Sequence, residues 1–349
     1  MSQSASLARD PPDLAFSIAM PFAAVARHDN NFDLLRTGAA LSVLLSHAVP
    51  LSYGGEDGEW MLRLTHGQAS LGQVAVDVFF IISGYLIAGA WDRRRDPWRF
   101  VKARALRILP ALAVCLVLLA CVAGPLLSTL PAATYFASPT VPRFVVVTLS
   151  MLGFQAGLPG VFGTNPYPDV VDGSLWTLRR EVVCYAMILG LGFAHWLKRE
   201  VVLALLVATV GLDAFGIGGS YVDLASYFLG GTAMYLWRPP FRPLFAAAAL
   251  AALVAGAVAT GFAAAAAVAG AYLTIYAAVG TRPLRAARDN PTDLSYGIYI
   301  WAFPVQQTVT LMLGTAATWW ANVLLSLPVV LGLAFLSWRL VEAPMLRLK

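Results

Sequence analysis

Charged residues are scarce in this sequence. Asp, Glu, Lys and Arg supply only 12% of its 349 residues, whereas hydrophobic residues supply 59%. Ordinary soluble domains carry about 25% charged residues. A soluble domain of this length could not bury so much apolar surface, so the composition excludes a cytosolic enzyme, a nucleic-acid-binding protein and a disordered chain. It indicates a polytopic membrane protein surrounded by the lipid bilayer.

Cysteine is rare as well, with three residues in the whole chain. Cys115, Cys121 and Cys184 all lie in apolar runs, where a thiol usually packs as a small hydrophobic side chain. So few cysteines exclude a disulfide framework. We also expect no bound metal.

Long apolar segments fill most of the remaining sequence. A transmembrane helix needs about 20 mostly apolar residues, and ten segments approach that length. We therefore predict an all-α membrane bundle of about ten transmembrane helices, with residues 31–345 forming a single domain. The predicted spans are 33–53, 71–91, 108–130, 174–195, 200–217, 221–237, 243–261, 263–280, 293–314 and 319–340.

The charges predict which way the spans face. Lys and Arg mark cytoplasmic loops, and the basic clusters here are 93–107, 198–199, 238–242, 282–288 and 339–349. If the short apolar stretch 143–158 crossed the membrane, the later clusters would lie on the opposite side from 93–107. We therefore predict that 143–158 is re-entrant or interfacial, that both termini are cytoplasmic, and that the acidic segment 56–59 lies outside.

The first 30 residues contain an apolar, Ala-rich run that resembles the core of a signal peptide. Asp10 and Asp13 cancel the charge of Arg9, so the run has no positive flank. Cleavage after it would also place Arg36 outside. We interpret residues 1–30 as a flexible or amphipathic cytoplasmic tail.

The first span carries two ionisable residues on one face. Arg36 and His47 are eleven residues apart, about 1100° of helical rotation, so they differ by only about 20° in direction. One cavity wall could therefore display both. An ionisable group within a span is by default a functional hypothesis. The alternative readings are that Arg36 extends to the headgroups and that His47 is only a packing residue.

Two other spans place carboxylates at a depth similar to that of His47, roughly 9 Å below the outer surface. Asp77 lies on the second span, and Glu181 lies on the fourth, after Arg179 and Arg180. A carboxylate beside an imidazole fixes the tautomer of the ring and raises its basicity. We therefore predict a polar layer in which Asp77 orients His47.

A second candidate site is the basic loop between the second and third spans. Seven cationic residues crowd into it, and Arg104 and Arg107 are neighbours at i and i+3 at the start of the third span. Paired guanidinium groups suit the phosphates of a nucleotide-like donor. Membrane topology and anionic lipids would account for some of these charges equally well.

Six motifs occur in one order along the chain and together resemble the membrane-bound acyltransferase family 3. The second-span motif is Gln-Val-Ala-Val-Asp-Val-Phe-Phe-Ile-Ile-Ser-Gly-Tyr, and the fourth-span motif is Leu-Trp-Thr-Leu-Arg-Arg-Glu. The six segments are 32–47, 73–87, 104–110, 173–185, 295–299 and 338–344.

The resemblance implies ten spans and the transfer of an acyl group, usually acetyl from acetyl-CoA, to a hydroxyl of a sugar, polysaccharide or glycolipid. It implies a multi-pass protein of the bacterial cytoplasmic (inner) membrane that binds no nucleic acid. The extra SGNH-hydrolase-like domain of some members is not expected here. The resemblance implies His47 as the catalytic base with Arg36 as its partner, Arg104 and Arg107 as CoA contacts, and Glu181 on the acceptor side. Taken with the charged residues of the spans and the basic loop, we predict that the catalytic residues are His47, Asp77 and Glu181. The predicted CoA-binding residues are Arg36, Lys102, Arg104 and Arg107, and the predicted substrate-binding residues are Tyr85, Trp176, Arg180 and Tyr296.

The sequence departs from the family pattern at two places. Many members carry His after the Tyr-x-x-Trp of the ninth span, whereas Trp301 is followed here by Ala302. Many also have small or apolar residues before the fourth-span Glu, where this chain has Arg179 and Arg180. Direct transfer with His47 as general base and transfer through an acyl-His47 intermediate both remain open. A proton-coupled transporter, or a membrane partner without chemistry, are the rival functions.

Overall fold

The computed structural model describes residues 30–259, 261–282 and 292–349, and in these ranges the chain is helical without any β-strand. The all-α prediction is therefore confirmed for the described residues. The expected tail 1–30 lies outside them except for its last residue, as do Arg285 and Arg288. The main helices are α1 (Phe32–Tyr53), α2 (Leu71–Arg94), α3 (Pro97–Leu127), α4 (Thr140–Leu149), α5 (Trp176–Phe193), α6 (Arg199–Ala214), α7 (Gly219–Trp237), α8 (Pro243–Val258), α9 (Phe262–Gly280), α10 (Ser295–Leu313) and α11 (Trp319–Leu346).

Five of these helices, α1, α2, α3, α9 and α11, are long and apolar enough to cross a membrane. The chain is thus a membrane protein, while the number of ten spans stays a prediction. Helix α4 covers only ten residues, about 15 Å, which is half the thickness of a bilayer core. The chain after it is irregular up to α5. A re-entrant segment at 143–158 therefore stays a prediction too.

The basic segment between the second and third spans is helical, contrary to our expectation of a loop over 91–109. Helix α2 continues to Arg94, and α3 begins at Pro97. The reason is local: the Asp96 carboxylate accepts a hydrogen bond from the backbone N–H of Arg99 at 3.1 Å, and Pro97 occupies the first helical turn. Arg104 and Arg107 therefore lie on a helix whose direction is fixed by its neighbours.

Helices α2 and α7 approach each other closely because glycines face the contact. A Cβ atom added to Gly84 would lie 1.9 Å from the carbonyl oxygen of Phe228, and one added to Gly231 would lie 1.9 Å from that of Ile81. The Thr232 hydroxyl donates a 3.2 Å hydrogen bond to the Gly84 carbonyl across the same contact. Small residues and interhelical hydrogen bonds are the usual means of helix association in a membrane.

Helix α1 packs against α2, α10 and α11, and a buried polar bridge holds this group together. The Gln306 amide on α10 donates to the Leu44 carbonyl of α1 at 2.9 Å and to Asn322 Oδ1 of α11 at 3.0 Å. Asn322 returns a 3.0 Å hydrogen bond to the Gln306 carbonyl. The NH2 group of each amide thus has partners on neighbouring helices, which fixes the relative positions of the three helices.

Candidate functional site

A large cavity of about 1160 Å³ lies among the helices and opens beside the N-terminal end of α1 and the C-terminal ends of α2, α7 and α11. Its walls combine cationic, acidic and aromatic side chains. Binding cavities for drug-sized ligands usually measure about 300–1,000 Å³, so this one is large enough for an extended cofactor. The residues that matter below are Arg36, Ser83, Tyr85, Arg104, Arg107, Thr177, Glu181, Tyr185, Asp293, Tyr296 and Tyr299.

Arg107 is held in an ion-pair network within the cavity wall. Its guanidinium donates to Asp293 at 2.6 Å and lies 3.8 Å from Glu342. Asp293 also pairs with Arg36 at 3.6 Å and accepts a 2.5 Å hydrogen bond from Ser295. Two arginines from different helices thus share one buried carboxylate. This arrangement compensates their charges and ties α1, α3, α10 and the end of α11 together.

Arg104 has very different surroundings, although it lies one turn before Arg107. Its guanidinium lies 5.9 Å from the centre of the Tyr185 ring, and its Nε is buried without a hydrogen-bond partner. No ion pair to Arg104 forms within the described residues. Lys102, by contrast, is exposed and does not line the cavity. Lys102, Arg104 and Arg107 are the three residues of α3 that were predicted to contact CoA. Of these, Arg104 is the one that lines the cavity and has a hydrogen-bonding nitrogen left for a bound anion.

Glu181 occupies the cavity wall at the level of α2 residue Ser83. The Ser83 hydroxyl donates to Glu181 Oε1 at 3.0 Å, and the Tyr185 hydroxyl donates to the same oxygen. Oε2 receives no hydrogen bond from the described residues. The carboxylate is thereby oriented by two hydroxyl groups while one oxygen stays available to a ligand.

His47 does not line the cavity. Ala40 and Val43 lie on the same face of α1 between Arg36 and His47, and both are buried, so the wall closes above Arg36. The cavity therefore displays Arg36 but not His47. The ring packs edge-on against Phe303, with 5.2 Å between ring centres, and its Nδ1 is enclosed without a hydrogen-bond partner.

Asp77 is not joined to His47 by a hydrogen bond or ion pair in the described part of the chain. Its Oδ1 accepts a 3.0 Å hydrogen bond from Gln73, whose amide also lies 3.4 Å from Asp223 on α7. Asp77 therefore faces the α2–α7 contact. The cavity is lined instead by a different stripe of α2, which includes Val76. His47, Asp77 and Glu181, which were expected to form one polar layer, thus lie in three different environments.

The predicted substrate-binding residues separate into two groups. Tyr85 and Tyr296 line the cavity. Trp176 and Arg180 do not: the Arg180 guanidinium lies 4.7 Å from the centre of the Trp176 ring and 4.7 Å from that of Tyr221. This stack connects α5 to α7 at the opposite end of the bundle from the cavity opening.

Sequence reasoning missed three lining residues that the structure brings together. Tyr299 and Thr177 face each other with 2.5 Å between their hydroxyl oxygens, and Tyr299 also donates to the Ser174 carbonyl at 2.7 Å. Asp293 is the shared carboxylate of the arginine network. Asp293 lies two residues before the Ser295–Tyr296 motif and Tyr299 ends it, so the motif itself was the available signal.

The connection between α4 and α5 is fastened to the bundle by buried polar groups. The Asn165 side chain donates to Gln307 Oε1 at 2.7 Å, and the Gln307 amide donates to the Tyr167 and Val170 carbonyls at 2.8 Å each. Asp172 in this connection is fully buried, and burial raises its pKa to about 7 although hydrogen bonds from Ser174 oppose that rise.

The helical bundle and its charged cavity define a membrane protein with an internal binding site. A family model described as an acyltransferase domain matches residues 29–339, so the chain belongs to acyltransferase family 3, as the motifs predicted. The chain is 33% identical to an O-acetyl transferase of Shigella phage Sf6, covering 90% of this chain and 95% of that protein. It is 29% identical to Nodulation protein 10 of Rhizobium leguminosarum bv. viciae, covering 92% and 94%. No solved structure matches.

Proposed function

We propose that this protein transfers an acyl group, with acetyl as the default, from cytoplasmic acyl-CoA to a hydroxyl of a sugar, a surface polysaccharide or a glycolipid. The site is the bacterial cytoplasmic membrane, with both chain termini on the cytoplasmic side. Family membership and the phage relative named O-acetyl transferase support the reaction class. The basic clusters at the cavity opening support cytoplasmic access, since Lys and Arg are enriched on that side.

The observation that carries the proposal is the arginine-lined cavity. Arg104 offers a buried guanidinium nitrogen without a hydrogen-bond partner, as expected of a group that binds an anionic ligand. Beyond Arg104 the cavity continues past Ser83 and Glu181 to Thr177 and Tyr299. A CoA thioester entering from the inner face would therefore meet cations first and neutral hydroxyl groups last.

The proposed step moves the acyl group from the thioester sulfur of CoA to the hydroxyl oxygen of the acceptor. The acceptor hydroxyl oxygen attacks the thioester carbonyl carbon, a C–O bond forms, and the C–S bond breaks. The hydroxyl proton passes to a general base and then to the departing thiolate. A positioned base of this kind contributes about 10²–10⁴-fold to the rate.

We propose that His47 is that base and that the acceptor binds on the side of the bundle where His47 contacts Phe303. His47 packs on Phe303, one helical turn (about 6 Å) beyond Tyr299 on α10, whereas Tyr299 lines the cavity. In this arrangement the donor thioester approaches from the Tyr299 side and the hydroxyl from the Phe303 side. Glu181, which was expected on the acceptor side, lies in the cavity wall and is held by Ser83 and Tyr185, so in this proposal it faces the donor.

The test is acetyl transfer by the purified full chain in detergent, with labelled acetyl-CoA and glycan from the cell surface. His47→Gln is expected to lower the transfer rate by about 10²-fold or more while acetyl-CoA binding is unchanged. His66→Gln, at an exposed loop position, is the matched control. Transfer by His47→Gln near the wild-type rate would overturn the role of His47. Mass spectrometry of surface glycans from a deletion strain identifies the acceptor.

A further inference from the structure

The cavity opening contains a cluster of aromatic and cationic side chains that the chemistry above does not use. We define the mouth cluster as Tyr85 and Arg93 on α2 together with Tyr235 and Arg238 at the end of α7; all four line the cavity. The Tyr85 and Tyr235 rings meet edge to face, with 5.6 Å between their centres. The Arg238 guanidinium lies 5.5 Å from the centre of the Tyr235 ring.

The one acidic residue of this part of the opening, Asp92, is already engaged. Its Oδ1 accepts from Arg95 at 3.1 Å, and its Oδ2 accepts from the Tyr235 hydroxyl at 3.1 Å. Asp92 therefore orients Tyr235. Arg93, which projects from the cavity-lining face of α2, forms no ion pair within the described residues.

Depth separates the mouth cluster from the rest of the cavity. Arg93 and Phe79 are fourteen residues apart on α2, roughly 21 Å along the helix axis. The deep part of the cavity wall, around Ser83 and Thr177, offers hydroxyl groups. The charges of Arg36 and Arg107 are compensated by Asp293. A long ligand with its phosphates at one end and an uncharged arm at the other thus fits with its phosphates toward the cavity opening.

We propose that the mouth cluster binds the adenosine 3′-phosphate end of the donor CoA. Tyr85 and Tyr235 contact the adenine, because aromatic side chains stack on nucleobases. Arg93 and Arg238 bind the 3′-phosphate, because the planar guanidinium matches phosphate oxygens in two-point hydrogen bonds. The diphosphate then meets Arg104, and the uncharged pantetheine arm leads the thioester on toward Tyr299. This inference rests on the proposed use of acyl-CoA as donor.

The test compares CoA with 3′-dephospho-CoA, measured as dissociation constants for the purified full chain in detergent. The wild type is expected to bind CoA about 10-fold more tightly than 3′-dephospho-CoA. The double variant Arg93→Gln, Arg238→Gln is expected to bind the two ligands about equally. Arg94→Gln is the matched control, since Arg94 is the neighbouring arginine of α2 and does not line the cavity.

A second variant tests the adenine contact separately. Tyr85→Leu is expected to weaken CoA and 3′-dephospho-CoA by the same factor, about 10-fold, because both carry adenine. Its binding of 4′-phosphopantetheine, which has no adenine, is expected to match the wild type. This unchanged binding also shows that the variant is folded.

Three results would overturn the inference. One is a wild type that binds CoA without preference over 3′-dephospho-CoA. Another is a double variant that keeps the wild-type preference for CoA, or that loses affinity for both ligands equally. Arg93 and Arg238 would then only help to set the orientation of the chain in the membrane. The third is a wild type that binds no CoA at all, which would overturn the proposed donor as well.

Discussion

Arg104 and Arg107 illustrate how neighbouring residues of one motif acquire different roles. Arg107 is compensated by Asp293 and Glu342, whereas Arg104 has a buried nitrogen without a partner. Removing one member of a buried ion pair leaves the other charge uncompensated and costs about 3–5 kcal/mol. Arg104 contacts the Tyr185 ring but forms no ion pair within the described residues, so its removal breaks no such pair.

Arg107→Gln is therefore expected to destabilise the fold by several kcal/mol, because Asp293 and Glu342 stay buried without it. Thermal unfolding in detergent is the measurement. Arg104→Gln is expected to leave the unfolding temperature within a few degrees of the wild type and to weaken acetyl-CoA binding by about 10-fold or more. Equal loss of stability in the two variants would contradict this division of roles, and Lys102→Gln provides the exposed control.

Asp172 gives the fold a dependence on pH. Its pKa is raised to about 7 by burial, whereas an unfolded Asp titrates near 4, so the folded state holds this proton more tightly. The stabilisation is complete below about pH 4 and is lost as the pH rises through about 7. We expect thermal stability to fall between pH 5 and pH 8 and Asp172→Asn to remove most of that change. An unaltered pH profile in the variant would contradict the assignment.

The motifs predicted much of the cavity wall, since Ser83, Tyr85, Glu181 and Tyr296 all belong to them. They did not predict the surroundings of Asp77. Helical periodicity shows which residues share a face, but it does not show which neighbouring helix that face meets. Asp77 is about 100° from Val76, and that rotation directs it to α7 instead of the cavity. Within the described residues Asp77 contacts Gln73 and not His47, so the orientation of His47 by Asp77 stays a prediction.

At the scale of the element, the spacing between α2 and α7 depends on residues without side chains. A Cβ atom on Gly231 would lie 1.9 Å from the Ile81 carbonyl, so the two backbones could not keep their present distance. Both helices carry cavity-lining residues. Their separation therefore sets the width of the cavity opening as well as the stability of the pair.

Gly231→Ala is expected to destabilise the protein by about 1–3 kcal/mol, the usual cost of overpacking a tight contact. Gly211→Ala on α6 is the matched control, because a Cβ atom there meets nothing within 4 Å. Alanine at this helical position is expected to be neutral or stabilising. The unfolding temperatures of the two variants provide the comparison, and equal values would show that the α2–α7 contact can relax.

The helix ends were predicted closely where apolar residues meet a cap and poorly where charges continue a helix. The second span was expected to begin at 71, and α2 begins at Leu71 with Ser70 as its cap. The third was expected at 108, yet α3 begins at Pro97. Hydropathy marks the part of a helix that lipid covers, whereas hydrogen bonding and caps fix where the helix itself begins.

For the whole molecule, the charge distribution predicts the side of the membrane on which each end lies. We expect cysteines introduced at Arg94 and Arg199 to react only with membrane-permeant reagents in intact cells. Cysteines introduced at Asp57 and Thr164 are expected to react with impermeant ones. A background lacking the three native cysteines is needed. Labelling of positions 94 and 199 from opposite sides would contradict the re-entrant assignment of 143–158.

The last residues of the chain border the cavity opening. Arg347 and Lys349 are among its lining residues, as is Trp338 where α11 turns toward Arg107. Any polypeptide joined after Lys349 would consequently emerge beside the cavity opening. A bulky fluorescent fusion at that end is thus a poor choice for kinetic work, because crowding there would mimic an inactivating mutation in a protein whose interior is intact.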